Sequence, residues 1–178
     1  MNSRGNYAVA GMLALGLAMA SFAWWWNLGR GSQCVQFWGP QAAKSIRVTP
    51  YVVVYELAPR ASAEPAAETL KFGSESLAIL RQKEITGLRG LIHARNSLLE
   101  DASFRWESPP PATPHWQYAL QWTAGRDSVT VLFALDAPCV AQAETQKTVV
   151  LTDFAAQAWR KVLPRYLDEE VLPAPHVP

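Results

Sequence analysis

Residues 116–136, Trp116-Gln-Tyr-Ala-Leu-Gln-Trp-Thr-Ala-Gly-Arg-Asp-Ser-Val-Thr-Val-Leu-Phe-Ala-Leu-Asp136, decide the fold class of this chain. Trp116, Tyr118, Leu120 and Trp122 alternate with Gln117, Ala119, Gln121 and Thr123, the period of two that marks a half-buried strand. Ala124-Gly125-Arg126-Asp127 supplies a turn, and Val129, Val131, Phe133 and Leu135 resume the alternation. The segment therefore reads as an antiparallel hairpin, with Gln117, Gln121 and Thr123 on its wet side.

Working outward, Arg47 to Leu57 is dense in branched and aromatic residues and reads as a strand, with Pro50 confined to its start or to an edge. Ser76 to Ile85 and Lys147 to Thr152 read as two further strands, the first open to a helical alternative. Leu88, Leu91, Ile92, Leu98 and Leu99 share one helical face, with Thr86 as cap and an end near Asp101. Asp153 can cap a second helix that carries Phe154, Ala158, Trp159, Val162 and Leu163 inward, with Pro164 near its last turn. Ala58 to Gly73 and the proline run Ser108 to Pro114 read as connectors. The expected fold is α+β: an antiparallel sheet of about four to five strands with two helices packed on one face, preceded by a single N-terminal transmembrane or signal helix.

That leading helix is expected because Ala8 to Trp26 contains no charge, and about 20 such residues match the roughly 30 Å of a bilayer core. Arg4 stands before the run, and Trp24, Trp25 and Trp26 close it in the manner of an interfacial aromatic belt. Ala18-Met19-Ala20 and Ser21-Phe22-Ala23 both fit a small-x-small cleavage pattern, so anchor and cleaved signal are both open. The expected division is a membrane segment over 1–26, a tether over 27–39, an α+β domain over 40–167 and a disordered tail over 168–178. The expected location is the cell membrane, single-pass with the C-terminal domain outside the cytoplasm, or the periplasm or medium after cleavage.

Hydrophobic residues make up 49% of the 178 and charged residues 17%, a globular balance with room for one core. Setting aside Arg4 and Arg30, 14 basic residues face 15 acidic ones with no basic run, which argues against a nucleic-acid partner. Cys34 and Cys139 lie beyond the apolar run, where an oxidising compartment permits pairing, and spacing alone leaves a disulfide and two free thiols equally open.

Phe37-Trp38-Gly39-Pro40, Val54-Tyr55-Glu56-Leu57 and Val131-Leu-Phe-Ala-Leu-Asp-Ala-Pro-Cys139 resemble a family of small exported bacterial proteins of unassigned function. The resemblance implies an antiparallel α+β domain and no activity.

Chemistry is sparse. There is no GxSxG elbow and no HExxH, and His93, His115 and His176 stand far from each other and from either cysteine, so no metal site and no cofactor are implied. Arg89, His93, Asn96 and Glu100 recur at i, i+4, i+7 and i+11, a stripe that can bind a ligand or relay a proton, or simply be a solvated helix face. Glu56 and Glu84 offer a carboxylate pair if their strands adjoin. Trp116 and Trp122 can form a stacking platform for sugars if exposed, and core if buried. The expectation is an interaction or accessory module with the membrane and an envelope protein as partners, the alternatives being an exported hydrolase and a ligand- or carbohydrate-binding module.

Overall fold

The hairpin forms, and both of its strands lie at the middle of the sheet. In the computed structural model, which describes residues 3–29, 32–59, 68–125 and 127–168, β5 (Tyr118–Ala124) pairs with β6 (Asp127–Ala134) from Ala124↔Asp127 back to Tyr118↔Phe133. On one side β1 (Val52–Pro59) joins β5, followed outward by β3 (Glu75–Glu84) and β2 (Thr69–Phe72). On the other, β7 (Cys139–Gln142), β8 (Thr148–Leu151) and β4 (Phe104–Arg105) extend the sheet from β6. The order is β2-β3-β1-β5-β6-β7-β8-β4, all antiparallel.

Eight strands replace the four to five expected. The three that were missed, β2, β4 and β7, are 4, 2 and 4 residues long, too short to show a period. The helices also differ from expectation. Besides α4 (Leu91–Leu98) and α5 (Asp153–Asp168) there are α2 (Ser32–Trp38) and α3 (Pro40–Val48), so the supposed tether over 27–39 includes a packed helix with Cys34 and Trp38 buried. The amino-terminal run forms α1 (Ser3–Gly29), but among the described residues no helix is long and apolar enough to cross a membrane, which overturns the spanning or signal helix expected ahead of the sheet. Residues 169–178 of the expected tail lie outside the described residues.

One face of the sheet carries Val54, Leu120, Trp122, Val131 and Phe133 against Ile46, Leu98, Trp159 and Leu163 of the helices. An arginine, an aspartate and a tryptophan fix those helices. Arg95 of α4 donates to the carbonyls of Arg47, Thr49 and Pro50, closing the C-terminal end of α3, where cations suit the helix dipole. Burial pulls its guanidinium below its ordinary pKa. The Asp101 carboxylate accepts from the backbone N–H of Gln33 and Cys34 at 3.3 and 2.8 Å, satisfying orphan donors at the start of α2. Trp38 Nε1 donates at 2.7 Å to the Leu98 carbonyl at the end of α4.

The opposite face, expected to be wet, is a second core. Leu57, Trp116, Ala119, Leu132, Ala134, Cys139 and Ala141 are buried there. The sheet achieves this by coiling over itself. A Cβ built on Gly73, in the β2–β3 turn, lies 3.0 Å from the side chain of Gln146 in the β7–β8 turn. Those turns are five strand spacings apart, which in a flat sheet is about 24 Å. A bulge helps: Glu56 pairs with Arg81 but Leu57 with Ile79, leaving Leu80 unopposed, and bulges bend and twist the strand that carries them. Three alanines line the inner wall, where small side chains leave room for Trp116, whose ring meets Phe72 edge-on at 5.1 Å. At one end the polar members of this face bond among themselves: Tyr55 donates to Gln121 Oε1 at 2.9 Å, and Gln121 Nε2 to Thr130 Oγ1 at 3.3 Å.

Gly73 has φ +59, a left-handed conformation costing other residues about 1–2 kcal/mol. Gly73→Ala is therefore expected to lower the melting temperature by about 2–4 °C for each kcal/mol lost. Calorimetry checks this, and an unchanged melting temperature would contradict the left-handed turn at Gly73.

Candidate binding groove

The sequence places Arg89 and His93 on a helix beginning near Thr86. Two glycines shorten that helix, because Gly87 and Gly90 adopt φ of 78° and 88° and Gly90 becomes the N-cap of α4. Thr86 instead accepts a hydrogen bond from Val52 N–H. Arg89 thus lies on the approach to α4 and His93 on its first turn, both exposed.

Across from them, α5 is rotated relative to expectation. Its true N-cap acceptor is Thr152, whose Oγ1 takes the Ala155 N–H at 3.4 Å, and its inward face is Ala155, Ala156, Trp159, Leu163, Tyr166 and Leu167. Of the residues expected inside, Trp159 and Leu163 are buried, whereas Phe154 is 86% exposed and Ala158 and Val162 line the flank turned toward α4. Ile92, also expected inside, is 68% exposed. The helix runs through Pro164 to Asp168, which leaves the proline near its last turn as expected.

Between the two helices is a groove of about 330 Å³. Ala94, Ala158, Trp159 and Val162 make its apolar lining, with Phe154 at one end. Its ionisable basic lining residues are Arg89, Arg165 and His93, and no carboxylate is among them. This composition, an apolar cleft with a few convergent polar groups, is the usual character of a ligand site.

Asn96 and Glu100 are exposed and do not line the groove; Glu100 caps the short 3-10 turn Asp101–Ser103. The stripe is thus split, two residues on the groove and two elsewhere. Glu56 and Glu84 do not form a carboxylate pair although β1 and β3 adjoin. Glu56 lies opposite Arg81 while Glu84 lies opposite Val53, and positions 53 and 56 of β1 face opposite sides of the sheet. Trp116 and Trp122 are 2% and 0% exposed and belong to separate cores, which removes the stacking platform. Trp116 precedes β5 and turns to the inner face, so the alternating row starts at Tyr118 rather than at Trp116.

The Ser97 hydroxyl donates to the Ala94 carbonyl at 2.8 Å, so it is not handed to His93 as an activated nucleophile would be. Among the described residues no three His, Cys, Asp or Glu side chains are grouped to hold a metal ion. The chain matches no family model, and no curated protein or solved structure is significantly similar to it.

Cys34 and Cys139 are free and sit in opposite cores, so the disulfide alternative falls. Burial pushes the Cys139 thiol up to about 12, with a smaller contribution from Asp136. Burial, and then the hydrogen bond and charge of Asp101, push Cys34 upward as well. A thiol held protonated in the folded state stabilises it fully below the unfolded value near 9 and progressively less as pH rises toward 12. The expected loss is at most about 1.4 kcal/mol per pH unit for each thiol over that interval. Urea melts at pH 8, 9.5 and 10.5 should show the decline in the wild type and a shallower one in Cys34→Ala/Cys139→Ala; parallel declines would contradict the buried thiols.

Proposed function

We propose that this protein is a non-catalytic binding module held at a membrane by α1, with the α4–α5 groove as its working surface. The observation that carries the membrane part is the exposure of α1: Met12, Leu13, Leu15, Leu17, Met19, Phe22 and Trp24 are each between 61% and 75% exposed. From residue 11 to 24 this helix carries no charge and has apolar residues on every side, so the stretch has no face that suits water and gains by burial in lipid about 1.5–3 kcal/mol for each large side chain covered. The binding part is supported by the groove itself and by the bonding of Ser97 to its own helix, which favours recognition over hydrolysis.

The test is flotation of the full-length chain with phosphatidylcholine–phosphatidylglycerol vesicles. Wild type is expected to float with the lipid, and Leu13→Arg/Leu17→Arg to lose at least about tenfold in partition, as two buried leucines each contribute about 1.5–3 kcal/mol. Equal flotation of the two proteins, with unchanged urea melts, would remove α1 as the attachment.

A further inference from the structure

The outer flank of α5 leaves Phe154 and Ala158 exposed and Val162 half-buried against the core, and it shares the groove with Arg89 and His93. The two features belong to one groove, and they call for a ligand with two parts. We propose that the α4–α5 groove binds a long-chain carboxylate, its tail along Ala158, Trp159 and Val162 and its head between Arg89 and His93. This deepens the binding-module reading by naming the ligand class, and it rests on the groove alone, not on α1.

Charge complementarity gives the head its sign. Every charged side chain lining the groove is basic, and neither Arg89 nor His93 has an ion-pair partner among the described residues. A guanidinium presents two parallel N–H donors that match the two oxygens of a carboxylate, and a histidine ring has an N–H to donate in either protonation state. The size points to a small molecule. About 330 Å³ lies at the lower end of the range for small-ligand sites, and α4 has 8 residues, some 12 Å of wall, too short to seat more than two turns of a docked helix. Ala94, Ala158, Trp159 and Val162 supply an apolar wall for a tail, while Ser97, which also lines the groove, has its hydroxyl donated to the Ala94 carbonyl.

The experiment uses full-length protein with carbon-13-labelled histidine, titrated below micellar concentrations with dodecanoate, dodecyltrimethylammonium and acetate. His93 is assigned by the signals lost in His93→Gln. His115, which lies 3.6 Å from Asp136 and outside the groove, is the internal control. Dodecanoate is expected to shift the His93 signals saturably and leave those of His115 in place. Acetate and the cationic amphiphile should bind at least about tenfold more weakly, and Arg89→Glu should weaken dodecanoate by a similar factor. Ala158→Phe, which fills the groove, should abolish the response while the remaining spectrum stays folded.

Leu13→Arg/Leu17→Arg should respond as wild type does, so failure of the membrane reading and failure of this one are told apart. The proposal is overturned if dodecanoate leaves His93 unmoved. It is equally overturned if the cationic amphiphile binds as tightly, or if Arg89→Glu and Ala158→Phe bind dodecanoate as well as the wild type does.

Discussion

The structure depends on one strand that has no polar side. From Val129 to Ala134 every residue of β6 is buried, so the sheet cannot rest one face on helices and leave the other to water. Each face needs its own cover, and burying apolar surface is the dominant favourable term available to supply it. Helices α2 to α5 cover one face. The chain has no second helical layer among its described residues, and the sheet covers its other face with itself, coiling until the β2–β3 turn meets the β7–β8 turn. The bulge at Leu80, the three inner alanines and the positive φ at Gly73 are the local means by which that closure is reached.

On the helical side, directional contacts set where each helix lies while apolar packing supplies the energy. Arg95 holds the end of α3, Asp101 the start of α2 and Trp38 the end of α4, so the polar groups left over at three helix termini find partners inside the fold. Arg160 plays a related part on α5, donating from Nε at 2.9 Å to the Leu135 carbonyl just beyond β6. These bonds set the angle at which α4 and α5 meet the sheet, and the groove is the space that this angle leaves between them.

Much of this was legible in the sequence, and the failures have physical reasons. The β5–β6 hairpin, β1, β3, β8 and the two later helices announce themselves through period and β-branched residues, whereas the caps expected at Thr86 and Asp153 fall elsewhere, at Gly90 and Thr152. β6 looks alternating because Val129, Val131, Phe133 and Leu135 alternate, but Thr130, Leu132 and Ala134 between them are buried too, as in a strand covered on both faces. Trp116 departs from the alternation because the strand begins two residues after it. Arg89 and His93 were found as a helical stripe, yet the partner half of the groove was not, because Phe154, Ala158 and Val162 fit a core-facing stripe as well as Ala155, Trp159 and Leu163 do. Two apolar stripes on one helix are ambiguous until tertiary packing chooses between them. The stripe that packing left uncovered became the candidate site.

The assignment of binding to the groove presupposes that the aromatic residues of the sheet are core, since an open, flat sheet would present Trp116 as a competing surface. Nuclear Overhauser contacts of the Trp116 ring and of Gly73 test that most directly. A coiled sheet predicts contacts from the Trp116 ring to Phe72 and from the Gly73 amide to the side chain of Gln146. The absence of both, with a rapidly exchanging Trp116 indole N–H, would contradict it and reopen the sheet face as the working surface.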